Sequence, residues 1–154
     1  MTEAENSPAA PERPGRTGDR SVRVIGIVIA VMGIVFLVAG ITTYAVVSST
    51  LGDEKITVSD DADHFAGKDV KGPFTAYAQA DVIAKHAEEI GGGKTYAELA
   101  QDDPNRSTVM TASFLRASLF TSVVAFGVAA FVAVMGVLLM LLGWALMRVG
   151  RSTA

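Results

Sequence analysis

Two long uncharged segments dominate the pattern of apolar and polar positions along the chain. Residues 24–47 contain no charged side chain over 24 positions, and residues 117–147 contain none over 31. A helix needs about 20 apolar residues to cross the hydrocarbon core of a bilayer. The sequence therefore predicts two transmembrane helices, at residues 22–48 and 117–147. Two buried core helices of a soluble protein are the alternative, but the rest of the chain has too few apolar residues to surround them.

Small residues recur at intervals of three, four and seven positions along both predicted spans, so they share one face of each helix. Such residues let membrane helices approach each other closely. We expect the two stripes to face each other in an antiparallel transmembrane hairpin; a stripe that faces another protein or a second copy is the alternative. The predicted helix-packing residues are Gly26, Ala30, Gly33 and Gly40 in the first span and Ala125, Ala129, Ala133, Gly136 and Gly143 in the second.

Charge is distributed unevenly around the predicted spans. Arginines precede the first span and follow the second, whereas residues 48–116 carry twelve Asp or Glu and seven Lys or Arg. Because Lys and Arg near span ends stay in the cytoplasm, we expect both termini inside the plasma membrane and the central loop outside it. Tyr44 and Arg116 are expected at the outer membrane interface, and Trp144 and Arg148 at the inner one. An acidic exterior argues against a nucleic-acid partner.

The flanking segments are predicted to be tails. Residues 1–21 contain three prolines and almost no large apolar side chain, so we expect a disordered cytoplasmic tail. Residues 148–154 form a second cytoplasmic tail. Cleavage of the first span as a secretory signal is an alternative, although the apolar region of a signal usually has only about 7 to 15 residues.

The central residues 49–116 are predicted to form a small, mainly helical extracytoplasmic domain, which makes the fold class membrane all-α. Gly72 and Pro73 open a helix over residues 74–90, and the glycines at 91–93 end it. Its predicted apolar face consists of Ala76, Tyr77, Ala80, Ile83, Ala84, Ala87 and Ile90.

Weaker signals surround this helix. Alternation of apolar and polar residues at 55–59 predicts a short strand or extended piece. Thr95 and Glu98 have the spacing of a capping box, which predicts a further short helix near Tyr96. The helix of the second span is expected to begin near Pro104 and to project out of the bilayer, since 31 uncharged residues extend about 46 Å.

Both histidines of the chain lie in the outer domain. His64, His86 and Glu89 are weak candidates for a metal site with two histidines and one carboxylate. The acidic run at 59–64 lacks the glycine and the distal glutamate of an EF-hand, and the Gly-Lys-Thr at 93–95 lacks the earlier glycine of a phosphate-binding loop. We therefore predict no catalytic residue and no cofactor. The chain has no cysteine, which excludes thiolate chemistry.

Several runs of the sequence carry a resemblance to a known family: "ITVSDDADHFAGKDVKGPFTAYAQADVIAKH", "GGKTYAEL", "VMTASFLRASLFTSVVAFGVAA" and "GWALMR". The chain resembles a family of small two-span membrane proteins of high-GC Gram-positive bacteria over residues 22–149. Members often carry the label of an aromatic ring-opening dioxygenase subunit. The resemblance implies two spans and raises that activity as a hypothesis, but it assigns no catalytic residue.

Three functions are open at the level of the sequence. We expect first a non-catalytic accessory or interaction subunit of a membrane or envelope complex, whose partners are the lipid bilayer and a membrane protein or a second copy of the chain. The second hypothesis is an outward-facing ligand or metal sensor that uses residues 64–90. The third is the ring-opening dioxygenase that the family label suggests.

Overall fold

Three helices make up most of the chain. A computed structural model describes residues 17–152, so the predicted tail lies outside the described residues up to position 16. The helices are α1 (Thr17–Asp53), α2 (Pro73–Ile90) and α3 (Arg106–Ser152). Both α1 and α3 are long and apolar enough to cross a membrane. Between residues 17 and 152 no strand forms. The predictions of an all-helical chain and of two helices of spanning length and composition are therefore confirmed.

Glycines bring the backbones of α1 and α3 together at three levels. A Cβ atom added to Gly33 would lie 2.7 Å from the carbonyl oxygen of Gly136, which is too close for any side chain. A Cβ added to Gly26 would lie 2.8 Å from the Gly143 oxygen, and one added to Gly40 would lie 2.7 Å from the Ala129 oxygen. Ascending positions in α1 meet descending positions in α3, so the two helices run antiparallel.

Helix α3 extends beyond α1 at one end of the pair. At 1.5 Å per residue the 47 residues of α3 span about 70 Å, against about 55 Å for the 37 residues of α1. The glycine register places Val47, the last apolar residue before the hydroxyl residues at 48–50, level with Ser122. From Arg106 to Ser122, α3 extends about 24 Å beyond that level. Helix α2 packs against this extension, and within residues 17–152 no Cα atom of α2 lies within 8 Å of a Cα atom of α1.

Local sequence signals set the ends of α2. The backbone N–H of Gly72 donates a hydrogen bond to Thr75 Oγ1 at 3.2 Å, and Pro73 occupies the first helical position, where its missing N–H has no cost. At the other end the N–H of Gly91 donates to the Ala87 carbonyl at 2.9 Å. Gly92 and Gly93 then have φ values of +62° and +78°, which favour glycine. The helix therefore matches its predicted bounds within one residue.

The connection between α1 and α2 forms part of a small core that also includes residues of α2 and α3. Val58 and Val70 are 1% and 0% exposed, and they pack in one cluster with Leu51 and Leu119. Burying each valine contributes about 1.5–3 kcal/mol. The expected strand at 55–59 is an extended piece with a single antiparallel bridge, from Thr57 to Asp69.

The same connection shifts the buried face of α2 from the predicted one. Gln79 and Val82 are buried, whereas Tyr77 and Ile90 are 54% and 43% exposed. The Gln79 side chain accepts a hydrogen bond at 2.9 Å from the backbone N–H of Ser59, 20 residues away. A polar residue is buried because this loop lies across it and satisfies its carbonyl oxygen.

The segment between α2 and α3 consists of turns instead of the expected short helix. One half of its capping box forms, since the Glu98 carboxylate accepts a hydrogen bond at 2.8 Å from the N–H of Thr95; the Thr95 hydroxyl also donates to this carboxylate at 2.8 Å. Arg106 donates to the carbonyls of Tyr96 and Leu99 and fixes the turns onto the start of α3. So short a segment gains too few helical hydrogen bonds to offset nucleation.

We predict that Gly33→Ala lowers the free energy of unfolding by about 1–3 kcal/mol, because the new Cβ forces two backbones apart. Gly127→Ala is the matched control, since a Cβ there meets nothing within 4 Å. Unfolding by SDS titration in mixed micelles measures both variants. Equal stability of the two variants would contradict close contact at Gly33.

Candidate functional site

The predicted packing residues lie along the contact between α1 and α3. A Cβ added to Gly143 would meet the backbone nitrogen of Ala30 at 2.7 Å, and one added to Gly40 would meet that of Ala133 at 2.6 Å. Gly26, Gly33, Gly136 and Ala129 are buried in the same contact, and Ala125 is half-buried on α3. The structure therefore brings both stripes of small residues to one interface within the chain.

Aromatic residues lie near the level at which the apolar run of α1 ends, at Val47. The ring of Tyr44 on α1 lies 4.7 Å from that of Phe126 on α3. The Tyr77 ring of α2 meets Phe120 edge-on at 5.8 Å, and the Arg116 guanidinium lies over the same Phe120 ring at 5.3 Å. The geometry is that of a favourable aromatic pair with a cation–π contact above it. Near this level, Phe120 and Tyr77 therefore accompany the predicted interface residues Tyr44 and Arg116.

Arginines gather at the opposite end of the molecule. The guanidinium of Arg148 lies 4.2 Å from the centroid of the Trp144 ring, near the end of α3. Because α1 and α3 are antiparallel, Arg20 and Arg23 at the start of α1 lie at this same end. Both ends of the α1–α3 pair therefore carry an aromatic ring with an arginine over it or nearby, as membrane interfaces favour.

On the side of Phe120 towards the start of α3, an open groove of 440 Å³ runs between α2 and α3. We call it the outer groove. Its walls are mostly apolar, and its polar groups are three hydroxyls of α3 and one imidazole of α2. It is lined by Ile83, His86, Ala87, Ile90, Ser107, Thr108, Thr111, Ala112 and Leu115.

The acidic loop before α2 is tied to α2 by polar contacts of its carboxylates with His86, which lines this groove, and with the neighbouring Lys85. His86 Nε2 lies 2.6 Å from Asp61 Oδ2, and Lys85 Nζ lies 2.8 Å from Asp63 Oδ2 and 3.6 Å from Asp81 Oδ2. The hydrogen bond from His86 lowers the pKa of Asp61. The hydrogen bond between Lys85 and Asp63 lowers the pKa of Asp63 and raises that of Lys85. These side chains are exposed, so each contact fixes the loop in place and contributes little stability.

The weak metal candidates are not assembled into a ligand set. Among residues 20–151 no group of three or more His, Asp or Glu side chains is placed to hold a metal ion. His86 is paired with Asp61, whereas His64 lies beside the Phe65 ring at 6.5 Å. Glu89 is exposed on the last turn of α2. His64, His86 and Glu89 therefore do not converge.

Sequence reasoning missed the contributions of Tyr77, Phe120, Asp61 and Asp63. The two carboxylates were visible as an acidic turn, but their partners on α2 are 22 and 25 residues away, beyond the reach of any local spacing rule. On α2, the only sign of these partners was that the adjacent residues Lys85 and His86 lie on its exposed side.

Comparisons with known proteins identify no relative of this chain. A scan against models of protein families finds no match, and neither a search of curated proteins nor a search of solved structures finds a similar chain.

We predict that His86→Ala raises the pKa of Asp61 towards its usual value, because the hydrogen bond that favours the carboxylate is lost. The pair stabilises the fold above the usual pKa of Asp61, and this contribution disappears as the pH falls through the lowered pKa. Carboxyl NMR titration measures the shift.

Lys85→Met is the matched control for this titration. It should raise the pKa of Asp63 and change that of Asp61 much less, since Lys85 acts on Asp61 only as the weakest contributing charge. An unchanged Asp61 pKa in His86→Ala would show that the pair does not form in solution.

Proposed function

We propose that the chain is a two-span plasma-membrane protein in which α1 and α3 form an antiparallel transmembrane hairpin. Both termini lie in the cytoplasm, and residues 49–116 lie outside. The proposal is supported by the four arginines at one end of the helix pair, namely Arg20, Arg23, Arg148 and Arg151. The other end carries the acidic loops, and positive charge near span ends favours the cytoplasm.

The outer region is proposed to dock a protein partner, which makes the chain a non-catalytic accessory subunit of a membrane or envelope complex. The observation that carries this proposal is the height of the outer groove. Leu115 lies seven residues beyond the Ser122 level and Ser107 fifteen, so the groove extends from about 10 to 22 Å above the end of the apolar band. The headgroup layer on each side of a bilayer is only about 5–8 Å thick.

Lipid therefore cannot cover the apolar side chains of this groove. Leu115 and Ile90 are 50% and 43% exposed on its two walls, and Phe114 beside it is 67% exposed. Apolar groups that project into water on a small module are typical of an interaction surface. A partner segment seated between α2 and α3 would remove them from water and would contact the hydroxyls of Ser107, Thr108 and Thr111 on the same wall.

Labelling of single cysteines tests the orientation, since the chain contains no natural cysteine. Ala97→Cys, which is exposed in the turns between α2 and α3, should react with an impermeant maleimide in intact cells. Ala154→Cys should react only after the membrane is permeabilised. The reverse pattern, or equal labelling of both sites, would contradict the proposed topology.

Co-purification tests the docking function. A chain tagged at its C-terminus and extracted in mild detergent should retain a stoichiometric membrane or envelope protein, or a second copy, identified by mass spectrometry. Leu115→Ser should reduce that recovery at least several-fold. Phe114→Ser is the matched control, because Phe114 does not line the groove. Equal recovery with both variants would contradict docking in the groove.

A further inference from the structure

Helix α2 begins at the outer boundary of the proposed apolar band. The hydroxyl of Ser48, the first polar residue after the apolar run that ends at Val47, donates a hydrogen bond at 2.7 Å to the carbonyl of Lys71. Lys71 immediately precedes the cap of α2 at Gly72. About one turn along α2, Tyr77 meets Phe120, which lies two residues beyond the Ser122 level. The first turns of α2 are therefore within about 3–5 Å of that level.

Two exposed aromatic residues of α2 lie at this height. Phe74 is 74% exposed and Tyr77 is 54% exposed, although both sit on a helix whose other face is buried. With Phe65, which is 40% exposed, they line one depression of 250 Å³ between the loop and α2. Three aromatic side chains left open to solvent in one place are costly in water, at about 25 cal/mol for each Å² of apolar surface.

Cations flank these rings. Lys68 Nζ lies 5.5 Å from the centroid of Phe65, and Arg116 lies over Phe120, the ring that Tyr77 contacts. The carboxylates that line the same depression, Asp63 and Asp81, both face Lys85, which lies one turn farther along α2. Aromatic rings with basic side chains beside them suit the headgroup layer, where the rings reach the acyl boundary and the cations reach lipid phosphates.

We propose that Phe74 and Tyr77 insert into the headgroup layer of the outer leaflet, so that the base of α2 is seated on lipid. The occupant of this surface is the bilayer that surrounds α1 and α3, with which the surface is continuous through Phe120. The inference rests on the proposed two-span topology. It divides the exposed apolar side chains of the outer region by height: those at the base of α2 contact lipid, and those of the outer groove contact protein.

Tryptophan fluorescence in lipid vesicles tests whether Phe74 and Tyr77 contact lipid. Trp144 is the single tryptophan, so Phe74→Trp is made in a Trp144→Phe background. Purified full-length protein is reconstituted in vesicles that contain phosphatidylcholine brominated at a shallow or a deep acyl position. We expect a blue-shifted emission and at least twofold stronger quenching by the shallow bromines than by the deep ones.

Phe114→Trp in the same background is the matched control. Phe114 is similarly exposed but lies about 12 Å above the Ser122 level, so its emission should be that of a solvated indole, quenched by acrylamide and not by lipid. The proposal is overturned if Phe74→Trp behaves like Phe114→Trp. Tyr77→Trp supplies the same comparison if Phe74→Trp does not reconstitute.

The natural Trp144 separates this proposal from the topology on which it rests. In the unmodified chain Trp144 should be quenched by brominated lipid, since it lies near the inner end of α3. If brominated lipid quenches Trp144 but not the tryptophan of Phe74→Trp, only the proposed contact of α2 with lipid is overturned. Unquenched Trp144 would overturn the two-span topology itself.

Discussion

The close approach of two helix backbones at Gly26, Gly33 and Gly40 determines where everything else in the molecule lies. No side chain fits between α1 and α3 at these positions, so the register of the two helices cannot slide without a clash. In the proposed two-span topology no hydrophobic force acts between the helices, so close packing of their backbones is the main source of their association energy. The register then decides how far α3 extends beyond α1, and therefore the height at which α2 and its loop are held.

Helix α3 acts as a single spine for two shorter helices that follow one another along it. Its uncharged half packs against α1, and its other part packs against α2, whose Cα atoms all lie more than 8 Å from those of α1 in the described residues. The arrangement gives the outer region a rigid support even though its own core is small, with Val58, Val70, Ala76 and Ala80 as central members. Exposed apolar side chains then fall at two heights, and each height matches a different environment in the proposed function.

Features encoded over a few neighbouring residues could be predicted from the sequence, and those that need distant contacts could not. The spans follow from the absence of charge, and α2 follows from Gly72, Pro73 and the glycines after Ile90. The buried face of α2 was misjudged because Gln79 is satisfied by a loop residue 20 positions away. The turns near Tyr96 depend likewise on Arg106, ten residues later. The pairing of His86 with Asp61, which prevents a site with His64, has no local signature.

The register between α1 and α3 is the central claim, and spin-label distances measure it most directly. Val28, Leu141 and Val128 are all more than half exposed, so cysteines for labelling can replace them without entering the interface. Each doubly labelled protein is diluted with unlabelled protein and reconstituted. The account predicts a clearly shorter distance between the labels at 28 and 141 than between those at 28 and 128, which are offset by about 20 Å along the helix axis. The opposite order, or equal distances, would contradict the antiparallel glycine contact.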